Sequence, residues 1–276
     1  WRKCVMKHIL YCEDSPEGIL SAVHAAYTLR YGHADTQIRT GDSRDGDMEL
    51  FSEVRQIPMN QAHAASVRDA LIRKIGADAY DMVMYTALSD TPDKADVIYH
   101  FLVRGFANGE KTVDFYSDPY VARLRAIDRK VSREACHWNE FLRFREHTMQ
   151  KVETSSALML FGEKNVHTLM TSRITPEAKV VVLLMPHFSD RFPEENFLIY
   201  DSVHDEAGIH AAGSGWYISQ QIGKQIPQIA ALTGLAETSE EEVERLWKVF
   251  FDTIEVKQRH NTKLQQSLMP LKFRVS

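Results

Sequence analysis

Cys4-Val-Met-Lys-His-Ile-Leu-Tyr-Cys12, followed by Glu13-Asp14-Ser15-Pro16-Glu17-Gly18, is the stretch on which the fold turns. The first nine residues mix β-formers with apolar side chains and read as a strand. Ser15 then offers an N-cap, and Pro16 suits the first helical position because proline has no N–H to lose there. Ile19, Val23, Ala26 and Tyr27 follow at helical spacing and stop near Tyr31-Gly32. A strand feeding directly into a capped helix predicts a mixed chain of helices and strands.

Working outward, residues 35–47 are polar and rich in turn formers, which reads as a surface loop before a short strand at 48–57. Helices are then expected in series. Val67, Leu71 and Ile75 form one stripe, Met82, Val83 and Leu88 another. Thr91-Pro92 should cap a third helix holding Ile98, Phe101 and Leu102, and Asp118-Pro119 should open a long fourth one reaching about Glu146. The character then changes. Val166 to Ile174 is strand-like, Thr175-Pro176 starts an expected helix through Leu183 and Leu184, and Phe197-Leu-Ile-Tyr200 reads as a strand. Ala207 to Ile218, with three glycines, looks like turns joining short strands. Ser239-Glu-Glu-Glu242 is a capping box before Val243, Leu246, Trp247, Phe250 and Ile254. The expected class is α+β: a helix-rich N-terminal lobe with a small sheet (1–150) and a mixed strand and helix C-terminal lobe (151–276), the boundary falling near 148–165.

The bulk numbers narrow the function classes. With 44% hydrophobic and 26% charged residues, the 276-residue chain has the composition of an ordinary globular protein. Its net charge of −5 means that nucleic-acid binding must come from a local patch rather than the whole-molecule field. Cys4, Cys12 and Cys136 are too few and too scattered for a four-thiolate site, and such sparse cysteine suits a reducing cytoplasm. The longest aliphatic run, Val180 to Met185, is too short for a bilayer, so no membrane association is expected. No signal-peptide pattern precedes the first strand, and an opening on Trp1 leads us to expect native residues before it. Phosphate-loop, nucleophile-elbow, His-Glu-x-x-His and dinucleotide patterns do not occur.

Four constellations can carry chemistry. On the fourth helix Arg125, Arg129, Arg133 and His137 recur every fourth residue, with Lys130, Arg143 and Arg145 nearby, while Leu124, Ile127, Val131, Ala135, Trp138 and Leu142 take the core side. Over residues 123–147 seven Lys or Arg face four acids, so the strip is locally basic. Guanidinium forks match phosphate oxygens and position a protein on DNA without reading its sequence. The plainer alternative is a solvated face with internal ion pairs. From Lys257 onward the tail carries Lys257, Arg259, Lys263, Lys272 and Arg274 with no acid, which suits a phosphate backbone or simply solvent. Glu13 and Asp14 lie just after the first strand, where a carboxylate can bind a metal ion or act as a general base, or simply offset the helix dipole. Finally, Pro186-His187-Phe188-Ser189-Asp190-Arg191-Phe192-Pro193 gathers an imidazole, a carboxylate and a guanidinium, with Asp201 and His204 beyond the next strand. That set can hold a metal or a phosphate, or it can pin a helix end; its spacing matches no standard zinc site.

Several of these segments carry a family resemblance. Asp14-Ser15-x-Glu17-Gly18-x-Leu20-x-Ala22-Val23, Arg129-Lys130-Val131-Ser132-Arg133-Glu134-Ala135, Phe141-Leu142-Arg143-Phe144, the block from Pro186 to Asp201, and Arg259-x-Asn261-x-Lys263-Leu264-Gln265 through Phe273 resemble, in order, the motifs of an uncharacterised bacterial family of probable DNA-repair or DNA-metabolism proteins. The stretch from Ser155 to Gly162 looks like an insertion relative to that pattern. The resemblance implies a DNA-associated accessory protein acting with a putative DNA-modification radical-SAM partner. It implies no particular cofactor. On that expectation Arg129, Lys130, Arg133, His137, Arg143, Arg145, Arg191 and Lys263 would contact nucleic acid. The alternatives are a DNA-processing enzyme, with or without a metal, using Asp14, His187 and Asp190, and a protein–protein interaction module.

Overall fold

In a computed structural model of the chain, residues 6–43, 51–148 and 168–220 are described. The opening strand is β1 (Lys7–Cys12), and α1 (Pro16–Leu29) follows as the sequence requires. The Ser15 hydroxyl accepts a hydrogen bond from the Gly18 N–H at 3.1 Å, satisfying one of the orphan donors of the first turn. The turn is so tight that a Cβ at Gly18 would collide with the Glu13 carbonyl oxygen.

Residues 36–40 correct the loop reading of 35–47. They form β2 (Thr36–Thr40), which pairs in parallel with β1, and β3 (Ser52–Gln56) pairs in parallel on the other side, giving the order β2-β1-β3. Thr36 and Ile38 are buried while Gln37 and Arg39 are less so, the two-residue alternation of a strand. Only one large apolar residue marks that alternation, so composition hid it.

Helices α2 (Gln61–Lys74), α3 (Ala77–Leu88) and α4 (Lys94–Asn108) complete the core begun by α1, with Leu20, Val23, Leu71, Tyr80, Val83, Ile98, Phe101 and Leu102 buried together. The start of α4 lies two residues beyond the expected Thr91-Pro92 cap. Asp93 takes the cap position, because the Thr91 carbonyl is already used by the Lys94 N–H in a turn.

Asp118 caps α5 (Pro119–Phe141), its Oδ1 accepting from the N–H groups of Tyr120 and Val121 at 2.9 and 3.2 Å. Leu124, Ile127, Val131, Ala135 and Leu142 are buried, as the stripe predicts; Val121 is buried with them, and Trp138 is only half-buried. The helix ends at Phe141, not near Glu146. Phe144 meets Phe188, Phe192 and Phe197 edge-on, with ring centroids 5.3, 5.7 and 5.5 Å away, and the chain continues as β4 (Arg145–Thr148). Burial of that ring in an aromatic cluster outweighs one more helical turn.

The chain divides into two compact units within α5, between Ser132 and Arg133. The second holds a five-stranded sheet in the order β4-β5-β6-β7-β8, formed by β4 with β5 (Thr168–Ile174), β6 (Asn196–Asp201), β7 (Glu206–Ala211) and β8 (Gly215–Gln220). β5 and β6 are parallel and the remaining pairs antiparallel. Between β5 and β6 runs α6 (Val181–Arg191), which starts later than Thr175-Pro176. The reason is a tertiary contact: the Glu134 carboxylate accepts from the N–H groups of Glu177 and Ala178 at 2.6 and 3.1 Å, holding that segment outside the helix. α6 lies against β7 at Gly208, where any Cβ would strike Met185 and Val181. The fold is therefore α+β, with a helix-rich unit on a small sheet and a second unit of mixed character. No helix among the described residues is long and apolar enough to cross a membrane. Cys4, the stretch from Ser155 to Gly162, the helix expected after Ser239 and the basic tail with Lys263 lie outside the described residues.

Candidate functional sites

Residues four apart on an α-helix drift by about 40° around its axis, so Arg129, Arg133 and His137 span about 80° of α5 while Arg125 lies further round. The side chains behave accordingly. Arg125 is engaged, donating from Nε and Nη2 to the Val113 carbonyl at 2.9 and 2.6 Å, with its guanidinium carbon 4.7 Å from the Tyr116 ring centroid. Arg123 is engaged too, in a two-pronged pair with Asp93 at 2.9 and 3.0 Å, and that hydrogen bond holds the Asp93 carboxyl below its ordinary range. Arg129, Lys130, Arg133 and His137 are exposed. Neither Arg129 nor Arg133 has a hydrogen bond or ion pair with another described residue. Glu134, the acid adjoining Arg133, is committed to the Glu177 and Ala178 amides.

Arg143 and Arg145 lie beyond the end of α5 rather than on it. Arg143 is exposed and donates from Nη1 to the carbonyls of Glu140 and Leu142 at 3.1 and 3.0 Å, satisfying orphan acceptors of the last turn. Arg145 is exposed on β4, opposite Thr171. His187, Asp190 and Arg191 occupy the last turn of α6 and are all exposed, with the Arg191 guanidinium 5.5 Å from the Phe192 ring centroid. Phe188, between them, is buried and anchors the turn.

Asp14 belongs to the other unit. It follows β1, the central strand, from whose carboxyl end the chain departs towards β2 on one side and later returns as β3 on the other. Crevices at such switch points are where open parallel sheets place ligands. Its Oδ1 lies 2.5 Å from the Lys94 ammonium, which also donates to the Ser89 carbonyl at 2.5 Å. The Lys94 side chain is 2% exposed and that of Asp14 is 40% exposed, so a buried cation is answered by a carboxylate that still meets solvent. Cys12 ends β1 beside this pair. Burial, with the Asp14 charge adding, pushes its thiol up to about 12, and its Sγ–H is directed at the Arg39 carbonyl. Sequence reasoning found Asp14 and missed Lys94, because nothing in Asp93-Lys94-Ala95 distinguishes a buried lysine from a solvated one.

A second ionic centre lies where β6 turns into β7. Asp201 is fully buried; its Oδ1 accepts from the N–H groups of Val203 and His204 at 2.8 and 3.2 Å, and its Oδ2 is 2.5 Å from His204 Nδ1. Glu206 stands directly opposite Asp201 in the strand register, and its Oε1 is buried with no hydrogen-bond partner among the described residues. Burial, and then the Asp201 charge, push the Glu206 carboxyl up to about 7. The sequence marked Asp201 and His204; only the hairpin register brings in Glu206. Among the described residues no group of three or more His, Cys, Asp and Glu side chains is arranged to hold a metal ion.

Residues 92–276 match a family described only as a domain of unknown function. The match takes in Lys94, α5 and the entire second unit; Asp14 precedes it. No curated protein matches the chain.

Proposed function

Since the chain belongs to the DUF4130 family, a domain of unknown function, we propose that it binds nucleic-acid phosphates through the exposed arginines of α5 and serves as an accessory protein in DNA metabolism or repair beside a radical-SAM partner. One observation carries the binding half: Arg129 and Arg133 stand exposed one turn apart, and neither is neutralised by another described residue. On a chain of net charge −5 such a pair is a local attraction for phosphate, and each contact releases condensed counterions. Lys130, Arg143 and Arg145 are exposed as well. The DNA-metabolism setting and the radical-SAM partner rest on the motif resemblance alone.

Binding of labelled DNA, followed by fluorescence anisotropy across about 50 to 200 mM salt, tests the proposal. If each arginine meets one phosphate, Arg129→Ala with Arg133→Ala lowers the slope of log affinity against log salt by about 1.8 on duplex. Circular dichroism should be unchanged, since both side chains are exposed. Salt-independent binding, or a double variant that binds like the parent, overturns it.

A second reading, a DNA-processing enzyme, is favoured by the Asp14–Lys94 pair at the switch point of the first unit. Loss of DNA turnover in Asp14→Asn with binding retained would support it, and no turnover in the parent protein would remove it.

A further inference from the structure

We propose that the C-terminal end of α5 is a stacking platform for an unpaired nucleobase, with Phe141 as its floor and Arg133, Arg143 and Arg145 as the cations that hold the flanking phosphates. The inference rests on the nucleic-acid reading above and narrows it to single-stranded or locally unpaired substrate.

Phe141 is the last residue of the helix and is 57% exposed. An isolated phenylalanine in water contributes nothing to the core, whereas Phe144, three residues on, is taken up by an aromatic cluster. The Phe141 ring is not featureless surface, however. His137, one turn back, meets it with ring centroids 4.7 Å apart and planes inclined by 36°, and the half-buried Trp138 lies edge-on to His137 at 6.0 Å. Two exposed aromatic rings are thereby fixed side by side on a helix whose inner face is locked into the core.

The charges around them favour one kind of occupant. Arg133, His137 and Phe141 are successive members of the same four-residue ridge, spanning about 80° of the helix. Arg143 binds the helix-end carbonyls through Nη1, and its Nε and Nη2 make no bond with another described residue. Arg145 is exposed on β4. An apolar protein partner would gain from Phe141 but would have to desolvate three guanidinium groups. A single strand offers both a π-face for the ring and phosphates for the guanidinium groups. A duplex offers phosphates only, because its base faces are hidden in the stack.

Anisotropy of the full chain with three ligands of equal length decides the matter: a base-bearing single strand, the same strand made abasic, and a duplex. The parent protein should prefer the base-bearing strand to the abasic one by about 5- to 150-fold, the range for loss of one base–aromatic stack. Phe141→Ala should abolish that preference while leaving affinity for the abasic strand and its salt slope unchanged. Phe141→Trp should retain the preference, and its added indole fluorescence should be quenched by the base-bearing strand only. If Phe141→Ala keeps the preference while Arg129→Ala with Arg133→Ala weakens all three ligands, the platform is wrong and the phosphate reading stands. If the parent binds none of the three, both fall.

Discussion

Replacing Glu206 by glutamine should stabilise the protein in alkaline solution and do almost nothing in mild acid. The Glu206 carboxyl lies opposite Asp201, which accepts from two backbone N–H groups and lies against His204. Burial and that neighbouring charge raise the group from an ordinary 4.5 to about 7. Between these two pH values the folded chain keeps a proton that the unfolded chain has released, so the unfolded state binds fewer protons and stability falls as the pH rises. Above about pH 7 both states are ionised and the full penalty, about 3 kcal/mol, is in force. The amide of the substituted side chain carries no charge at any pH. Urea unfolding of parent and Glu206→Gln proteins, followed by circular dichroism at about pH 4 and pH 8.5, should give closely similar stabilities in acid and a gap approaching that figure in alkali. Asp201→Asn in the parent background should move the midpoint of the loss towards lower pH, because it removes the second cause of the shift. A gap that is the same at both pH values, or a parent that is the more stable one in alkali, would refute the reasoning.

Two further outcomes follow from buried groups in the first unit. Asp14→Asn should lower stability by about 3 kcal/mol in urea unfolding, since it strands a buried ammonium, whereas Lys94→Met should cost distinctly less; the reverse order would show that Lys94 is not held as a cation. Iodoacetamide at about pH 8 should alkylate the exposed Cys136 in the native protein and reach Cys12 only after unfolding, as read by peptide mass mapping; native modification of Cys12 would contradict its burial.

The parts of the fold legible in the sequence were those with a strong local signal. Ser15-Pro16 fixed the start of α1, Asp118-Pro119 that of α5, and the stripe from Leu124 to Ala135 the face that α5 buries. What escaped depended on partners distant in the chain. β2 carries one large apolar residue, Ile38, and becomes a strand because β1 supplies its hydrogen bonds. The last turn expected of α5 is lost to a cluster of phenylalanines more than forty positions downstream. α6 begins late because Glu134 reaches across to residues 177 and 178. The candidate sites follow the same division. Arg129 and Arg133 could be placed on a common face by counting fours, but that Arg125 belongs to the Val113 carbonyl could not. Lys94 and Glu206 are ordinary surface residue types, and only tertiary burial makes them unusual.

The sheet order β2-β1-β3 has a consequence for biosynthesis. The ribosome delivers the middle strand first and its two flanks afterwards, the second of them some forty residues later. Until Ser52–Gln56 has emerged, Ile9, Leu10 and Cys12 belong to a ribbon with a bare edge, open to any other nascent segment that can pair with it.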